Sequence, residues 1–511
     1  MLSTIFSAGI EGSDGFIVTV ECNVANRIPA FEIVGLPDNA IREAKDRVKN
    51  ASYNSGIFFP DQEIMVNLAP ADKRKSGSTY DMALLVGILH GAGQAGVADL
   101  SKCCFIGELS FSGDIRPACG VLCMCMAARD AGLTEIFVPL DNAAEASVVE
   151  EVKVYGVGSI NDVLSHISGH KPIAPTRFDR NLFVGVTDSG DMDFSDVRGQ
   201  ERSKRALEVA AAGGHNILFI GPPGTGKSML AKRLPTIMPP LTLDESIETT
   251  KIHSIAGILP AGATLVARRP FRSPHHTMST ASLSGGGTIP RPGEISMAHN
   301  GVLFLDELPE FAKPVTEALR QPLEDKCITI TRASGHYTFQ SNFMLVCAMN
   351  PCKCGYYGHP TKECSCKALD IQKYMSKISG PLLDRIDIQV EVGSLTYSQL
   401  AEEKTAETSA DIRSRVTAAR EIAHARFAGA KSTIFANGSM NSRHIQQFCT
   451  YGEGAQDMMR EAFDSMGLSA RGHDKILRIA RTIADLAASE VIEMEHIAEA
   501  IQMRTLDRKY W

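Results

Sequence analysis

The stretch GPPGTGKSML, residues 221–230, decides the fold class of this chain. It stands between NILFIG, which predicts a buried strand, and KSMLAKRLP, which predicts the start of a helix. A G-x-x-x-x-G-K-S match in a strand–loop–helix setting is typical of a nucleotide-binding P-loop. The predicted nucleotide-binding residues are Gly221, Pro222, Pro223, Gly224, Thr225, Gly226, Lys227 and Ser228.

The glycines of this loop allow backbone N–H groups to turn toward phosphate oxygens, and the positive end of the following helix adds to that attraction. Lys227 is placed to reach the β- and γ-phosphates, and the Ser228 hydroxyl is placed to ligate Mg²⁺. ATP and Mg²⁺ are therefore the predicted cofactors.

An acidic pair closes a second buried strand in GVLFLDELPEF, residues 301–311, about eighty residues after the P-loop. Asp306 is placed to hold the coordination shell of Mg²⁺, and Glu307 is placed to polarise the attacking water. After a P-loop, this pair predicts nucleotide hydrolysis.

Two further polar residues complete the predicted catalytic set. Asn350 ends the apolar strand FMLVCAMN and is placed to sense the γ-phosphate, although a turn residue before Pro351 is the alternative. Arg385 stands beside two aspartates in SGPLLDRIDIQV. It is either a surface ion pair or an arginine that stabilises transition-state charge from a neighbouring subunit.

The length of 511 residues exceeds what one hydrophobic core organises and predicts about three structural units. No basic segment followed by an apolar run opens the chain, and no run of about eighteen apolar residues occurs. We therefore expect a cytoplasmic protein with no membrane partner. The thirteen cysteines then indicate reduced thiols or metal ligands rather than disulfides.

The net charge of −7 is unevenly distributed. Residues 1–168 carry 12 Lys and Arg against 21 Asp and Glu, whereas residues 251–300 carry five against one and residues 326–385 carry eight against three. The two basic segments indicate a local phosphate-binding surface; the alternative is that each is an ordinary solvated face.

The chain reads as an α/β protein with a helical end. Strands (GFIVTVEC, EIMVNLA, EIFVPL) and a helix (DNAIREAKDRVKNAS) occur in residues 1–168, residues 169–195 form a linker, and residues 196–393 contain the P-loop. Residues 394–511 are predicted to be helical from ADIRSRVTAAREIAHARF, HDKILRIARTIADLAAS and MEHIAEAIQMR.

The region around these motifs resembles AAA+ ATPases of the helix-2-insert branch, which includes magnesium-chelatase ATPase subunits and the MCM helicases. The resemblance is carried by RRPFRSPHHTMSTASLSGGG, PRPGEISMAHNGVLFLDELPEF and LLDRIDIQVEV. SARGHDKILRIARTIADL resembles the sensor-2 helix and places its arginine at Arg471. The resemblance implies an AAA+ core with a helix-2 insert, a C-terminal helical lid, and a homo-hexamer in which Arg385 acts in trans.

The N-terminal region resembles the proteolytic domain of Lon through KSGSTYDMALLVGIL and IGELSFSGDIRPACGVLCMCMAARDAGLTEIFVP. Lon uses a Ser–Lys dyad, and alignment of the glycines places the serine position at Thr79 and the lysine position at Leu122. Because leucine cannot accept a proton, we expect a Lon-protease-like α+β domain that is proteolytically inactive.

A Lon-like domain ahead of a chelatase-like AAA+ module resembles the ComM/YifB family, and this resemblance covers nearly the whole chain. It implies an ATP-dependent hexameric DNA helicase that promotes branch migration during recombination, notably in natural transformation, with single-stranded or branched DNA as its partner. A chelatase-like ATPase that remodels a protein partner for metal insertion is the alternative. A third reading is an ATP-regulated binding platform without translocation.

The stretch PCKCGYYGHPTKECSC supplies a C-x-C pair on each side of nine residues. Cys352, Cys354, Cys364 and Cys366 are sufficient for a tetrahedral, structural Zn²⁺ site, although four free cysteines in a reduced loop are the alternative. The other cysteines of apolar stretches are predicted to be packing residues: Cys103, Cys104, Cys119, Cys123 and Cys125.

Two segments are predicted to contact DNA. KCITITRASGHYTF alternates like a hairpin with ASGH at its tip, and the resemblance places this hairpin toward the pore of the ring. Its Arg332, His336 and Tyr337 are suited to phosphate contact or base stacking. The second segment is ARRPFRSPHH, with Arg268, Arg269 and Arg272. For both segments the alternative is a contact between subunits.

Overall fold

The computed structural model describes residues 1–95, 99–180, 192–287, 290–332, 335–395, 407–429, 434 and 436–504. Part of the predicted linker, residues 181–191, and part of the predicted hairpin tip, residues 333–334, lie outside these ranges. The chain divides into two units, each made of three stretches of sequence. The first unit contains residues 1–184, 243–267 and 329–339, and the second contains residues 185–242, 268–328 and 340–511.

The strands, numbered in chain order, are β1 Leu2–Glu11, β2 Asp14–Ala25, β3 Ala30–Val34, β4 Glu63–Ala69, β5 Cys103–Phe105, β6 Glu108–Leu109, β7 Ile115–Arg116, β8 Glu135–Pro139, β9 Lys153–Val157, β10 Ile217–Ile220, β11 Phe271–Arg272, β12 Gly285–Gly286, β13 Arg291–Pro292, β14 Val302–Leu305, β15 Cys327–Arg332, β16 Gly335–Gln340, β17 Met344–Met349 and β18 Ile388–Glu391.

The α-helices are α1 Asn39–Arg42, α2 Ala44–Asn54, α3 Asp81–Gly91, α4 Val121–Asp130, α5 Ala143–Ala146, α6 Ile160–Ile167, α7 Glu201–Gly213, α8 Lys227–Ile237, α9 Leu243–Ala256, α10 Thr280–Ser284, α11 Glu294–Met297, α12 Lys313–Glu317, α13 Arg320–Asp325, α14 Ala368–Met375, α15 Gly380–Leu383, α16 Ser409–Gly429, α17 Ser442–Phe448, α18 Ala455–Met466, α19 Ala470–Leu486 and α20 Met494–Gln502. Short 3₁₀ turns occur at Leu140–Asn142, Phe194–Asp196, Leu308–Glu310 and Asn437–Ser439.

The first unit is built on a mixed seven-stranded sheet in the order β3-β4-β2-β1-β5-β8-β9. Because side chains alternate across a strand, β1 contributes to two separate hydrophobic clusters. Ile5 joins the cluster that contains α3, whereas Phe6 and Ala8 join the cluster that contains α4. Helices therefore cover both faces of this sheet, as the α+β prediction for the N-terminal region requires.

The stretch 243–267 completes the first unit by packing on α4. Ile247 and Leu265 join the cluster around α4, and the N–H of Gly120 donates to both the carbonyl and the hydroxyl oxygen of Ser254, the latter at 3.0 Å. Glycine is required at position 120 because its φ is +75° and an added Cβ would lie 1.9 Å from Ile10 Cδ1. Residues 243–267, which follow the P-loop helix in sequence, thus form part of the hydrophobic core of the N-terminal unit.

The second unit is built on a parallel five-stranded sheet in the order β11-β14-β17-β10-β18. Every residue of β10, β14 and β17 is buried, which is the pattern of a parallel sheet covered on both faces. The predictions of strands at NILFIG, GVLFL and FMLVCAM are confirmed. Since the strands are parallel, their carboxyl ends meet at one edge, where ligands bind in open α/β sheets.

The remaining helices confirm most of the predicted segments. The patterns ERSKRALEVAAAGG and KSMLAKRLP form α7 and α8, and the C-terminal patterns form α16, α19 and α20. The predicted helix DNAIREAKDRVKNAS is interrupted at Glu43, which separates α1 from α2. Among the helices that the structure describes, none has the length and apolar content needed to cross a bilayer.

Candidate functional site

The P-loop lies between β10 and α8 at the carboxyl edge of the parallel sheet. Gly224 and Gly226 have φ values of +79° and +86°, which L side chains rarely adopt. Gly221 has the additional constraint that a Cβ would lie 2.2 Å from the carbonyl oxygen of Val392, on the chain that follows β18. These glycines form a cradle that fits phosphate groups, because side chains at these positions would be strained or would collide with the neighbouring backbone.

Lys227 is buried at the first position of α8. Its Nζ donates hydrogen bonds to the carbonyl oxygens of Gly221 and Pro222, at 2.7 and 2.8 Å, and to Oδ1 of Asn350 at 3.1 Å. Burial lowers the pKa of Lys227, whereas Asp306 and Glu307 raise it. The ammonium group and the predicted sensor amide, 123 positions apart in sequence, thus lie in one pocket.

The Ser228 hydroxyl donates a 2.6 Å hydrogen bond to Oδ2 of Asp306, which follows β14. A serine hydroxyl and a carboxylate are oxygen donors of the kind that Mg²⁺ prefers. Both groups lie beside Lys227. The residues present therefore fit a Mg²⁺–nucleotide complex.

Glu307 has φ of +52°, a left-handed conformation unusual for a residue with a side chain. Its carboxylate is half exposed, and Oε2 lies 3.5 Å from Nδ1 of His276. The Glu307 N–H is held by Oδ1 of Asp306 at 2.9 Å. Asp306 and Glu307 thus have different side-chain partners, and the exposed Glu307 carboxylate is accessible to a water molecule.

His276 is a site residue that the sequence interpretation missed. It follows β11, which pairs with β14 in parallel, so the chain leaves β11 at the same sheet edge as Asp306 and Glu307. Its ring also packs against His275 and Phe311. The sequence signal was a histidine pair a few residues beyond β11, but only the strand order shows that this strand borders β14.

Arg385, the predicted in-trans arginine, and Arg471, the predicted sensor-2 arginine, pair with acids of neighbouring positions. Arg385 forms an ion pair with Glu324, and Arg471 Nη1 lies 3.2 Å from Oδ2 of Asp384, the residue before Arg385. Arg385 also donates to the Pro381 carbonyl oxygen, so the contacts described for these arginines are with their own chain and not with the P-loop. In contrast, Lys227 donates directly to Asn350, and its neighbour Ser228 donates directly to Asp306.

The residues predicted to contact DNA fall into two classes. In the β15–β16 hairpin, Arg332 and His336 are exposed and Tyr337 is half-buried. In the other segment Arg268 is exposed, but the Arg269 guanidinium donates to the carbonyl oxygens of Pro239, Pro240 and Asn300. Arg272 forms a bidentate pair with Glu294 at 2.6 and 2.8 Å. Arg269 and Arg272 thus have intrachain roles that Arg332 does not share.

The four predicted zinc ligands converge in the second unit. All four Sγ atoms lie within 4.8 Å of one another, and the Sγ–Sγ distances are 3.3 Å for Cys352–Cys354, 3.7 Å for Cys352–Cys364 and 3.5 Å for Cys354–Cys364. A tetrahedral ion with Zn–S bonds of about 2.3 Å requires sulfur separations of about 3.8 Å. The Tyr356 backbone N–H, the main cause, lowers the pKa of Cys354 to about 6, which favours the thiolate.

The structure also bears on the predicted packing cysteines and on Leu122, which occupies the lysine position of the Lon dyad. Cys103, Cys104, Cys123 and Cys125 are buried, but Cys119 is exposed, so its prediction as a packing residue is wrong. Cys119 lies just before α4, beyond the apolar face of that helix. Leu122 is fully buried inside α4, where it contributes to packing and has no group that accepts a proton.

Comparison with protein families gives matches along most of the chain. Residues 193–400 match the family described as magnesium chelatase, subunit ChlI. Residues 20–142 match a model of subunit ChlI of Mg-chelatase, and residues 406–504 match the C-terminal region of the same subunit.

Full-length similarity extends to curated bacterial proteins. The chain is 40% identical over 510 residues to Competence protein ComM of Haemophilus influenzae, covering 99% of this chain and 98% of that protein. It is 37% identical over 512 residues to YifB of Salmonella typhimurium, covering 99% and 98%. Lon protease 2 of Bacillus subtilis is 29% identical over 154 residues, covering 27% of this chain and 26% of the protease.

Proposed function

The chain belongs to the ComM/YifB family of magnesium chelatase-like AAA+ proteins, and from this premise we propose that it is an ATP-driven DNA translocase. The AAA+ family implies ATPase activity with ATP and Mg²⁺. The observation that carries the proposal is the constellation of Lys227, Ser228, Asp306 and Asn350 at one sheet edge, with Glu307 directly beside it.

In the proposed reaction, this chain's residues bind the nucleotide and move one proton. The P-loop N–H groups and Lys227 bind the phosphates, and Ser228 and Asp306 hold Mg²⁺, which neutralises phosphate charge. Glu307 accepts a proton from the water that attacks the γ-phosphate, and Asn350 orients that water or the phosphate it attacks. Arg385 would supply positive charge to a neighbouring subunit's nucleotide in a homo-hexamer, and Arg471 is the proposed sensor-2 arginine.

DNA is the proposed substrate of the motor. Full-length similarity to a protein named for competence supports a role in DNA handling, and the exposed Arg332 and His336 on the hairpin are suited to backbone contact. We propose that the protein binds single-stranded or branched DNA and promotes branch migration during integration of incoming DNA. Because phosphate contacts carry no sequence information, binding would be largely independent of sequence and sensitive to salt.

A structural Zn²⁺ is the proposed metal of the cysteine cluster. Four thiolates at these separations fill a tetrahedral shell and leave no position open for catalysis.

The proposal is tested by steady-state ATP turnover of the full chain without DNA, with single-stranded DNA, and with a four-way junction. Glu307→Gln serves as the hydrolysis blank. We expect stimulation by DNA, strongest with the junction, that is lost at high salt. Turnover that is indifferent to every DNA would contradict the translocase and would favour the chelatase-like alternative, in which a protein partner is remodelled.

A further inference from the structure

The loop that carries the four cysteines also borders the nucleotide pocket. It begins at Asn350 and Pro351, so the predicted sensor that accepts the Lys227 hydrogen bond stands two residues before the first ligand, Cys352. Cys352 is fully buried and its sulfur accepts a hydrogen bond from the Tyr357 N–H at 3.3 Å. The cluster is therefore anchored at the end of β17, next to the P-loop lysine.

A second contact joins the loop to the P-loop itself. Gly355 is buried with φ of +86°, and a Cβ at this position would lie 2.6 Å from Cδ of Pro223. The turn that places Gly355 there is closed by a hydrogen bond from its N–H to the Cys352 carbonyl at 3.0 Å. The turn that packs against Pro223 runs from Cys352 to Gly355 and therefore contains two of the four cysteines, Cys352 and Cys354.

A third contact lies on the other side of the loop. Nε2 of His359 is 3.1 Å from the Ser394 hydroxyl, two residues beyond Val392, whose carbonyl packs against Gly221. The loop therefore touches the pocket at the sensor, at the P-loop and at the chain that borders Gly221.

Packing alone gives this loop little support. Between β17 and α14 the structure describes no helix or strand, and of residues 352–367 only Cys352 and Gly355 are buried. An ordered loop with so little buried apolar surface requires another source of stability, and a metal bound by four side chains supplies it.

We propose that the metal held by Cys352, Cys354, Cys364 and Cys366 positions Pro223 and Asn350 for nucleotide binding. This inference rests on the proposed zinc site and ATPase function. The four cysteines are then positioning residues for the ATP pocket, and loss of the metal weakens nucleotide binding without altering any residue that contacts the nucleotide. If the cluster only stabilised its own loop, metal loss would leave nucleotide affinity unchanged.

The test compares zinc content and the affinity for a fluorescent ADP analogue in the purified full chain and three variants. Cys354→Ser and Cys366→Ser remove one ligand each, and Cys327→Ser removes a half-buried thiol outside the cluster. We expect about one zinc per chain in the parent and in Cys327→Ser. The ligand variants should lose most of the zinc, and their dissociation constant should rise by about tenfold or more, the usual size of effects transmitted to a bound group by its supporting residues.

Two further measurements keep the test decisive if a ligand variant fails to fold. Gly355→Ala keeps all four ligands and should retain zinc while weakening nucleotide binding, because the added Cβ displaces Pro223. Removing the metal from the parent with a chelator should weaken binding, and adding Zn²⁺ back should restore it.

Zinc loss with an unchanged dissociation constant would overturn the proposal, as would a parent chain that binds nucleotide tightly with no metal. The binding assay contains no DNA, so a failure of the translocase proposal would leave this result unaffected. Conversely, DNA-stimulated turnover combined with metal-independent nucleotide binding would refute only the positioning role.

Discussion

At the scale of single residues, the pocket depends on side chains whose conformations are set by their strand ends. Glu307 adopts a left-handed backbone immediately after Asp306, and this separates the acid that faces Ser228 from the acid that faces His276. Two adjacent carboxylates would otherwise compete for the same metal. The backbone turn thus gives them different partners.

His276 offers a direct test of how Glu307 is positioned. We expect His276→Ala to lower the maximal turnover several-fold, because a half-exposed carboxylate without its imidazole partner populates more rotamers, only some of which reach the water. The Michaelis constant for ATP should change little, since His276 has no described contact with the P-loop.

The matched control is His275→Ala. His275 is exposed, stacks on His276 and pairs with Thr277, but no ion pair joins it to Glu307 among the contacts described. Equal effects of the two substitutions on turnover would show that the histidine pair acts only through packing.

Some residues of the candidate site could be predicted from local sequence and others could not. Glycine spacing and the lysine identify the P-loop because one short segment contains the whole cradle. The Asp306 and Asn350 predictions needed only that parallel strands end at a common edge. His276 could not be predicted in this way, because its role depends on β11 lying beside β14, and strand order is absent from any local pattern.

At the scale of elements, α4 is flanked by two glycines that are required to different degrees. Gly120 precedes the helix at φ +75° and Gly132 follows it at φ +79°. A Cβ on Gly120 would meet Ile10 at 1.9 Å, whereas nothing lies within 4 Å of a Cβ on Gly132.

We therefore predict that Gly120→Ala lowers the free energy of unfolding by about 2–4 kcal/mol, through backbone strain and overpacking together. Gly132→Ala should lower the free energy of unfolding by about 1 kcal/mol, through backbone strain alone. Urea unfolding followed by circular dichroism measures both. An equal decrease in the free energy of unfolding of the two variants would show that Ile10 moves aside without loss of stability.

The β15–β16 hairpin is the element to test for DNA contact. We predict that Arg332→Ala weakens binding of unrelated single-stranded sequences to a similar extent and reduces the slope of log affinity against log salt by about one. Arg27→Ala is a suitable control, since Arg27 is an exposed arginine of the first unit, paired with Glu63.

Fluorescence anisotropy across a salt series would measure these affinities. An unchanged slope in Arg332→Ala would remove the hairpin from the DNA surface. A substitution of Arg272 would be less informative, because it also breaks the bidentate pair with Glu294.

Element boundaries were predicted best where hydrophobic periodicity was strong. EIMVNLA forms β4 with the same ends, and the buried strands of the parallel sheet were continuous apolar runs. The packing of α9 on α4 was not predicted, because a local pattern does not show which distant element a segment packs against. The prediction that Cys119 is a packing residue was wrong because apolar neighbours in sequence do not determine which side chains face the core.

At the scale of the whole molecule, the proposed hexamer requires residues of one subunit to act on the nucleotide of the next. We predict that Arg385→Ala lowers turnover by about a thousandfold, as removal of an arginine finger does. Mixing Arg385→Ala with Glu307→Gln subunits should restore part of the activity, because a Glu307→Gln subunit still supplies Arg385 to its neighbour's intact pocket.

Turnover of the mixture, measured against each variant alone, checks this prediction. Activity that stays at the level of the separate variants would indicate that Arg385 serves its own chain, where it already pairs with Glu324. Sedimentation of the mixture with nucleotide would confirm that the subunits had assembled together.

The discontinuous first unit has a consequence for the order in which the protein is made. Strands β1 to β9 emerge from the ribosome early and can form their sheet at once, but the partners of α4, Ile247 and Leu265, are about a hundred residues further along. At a synthesis rate of about 5–20 residues per second, that surface of α4 stays uncovered for several seconds on every nascent chain. During translation, this apolar face is the natural place for a chaperone to bind.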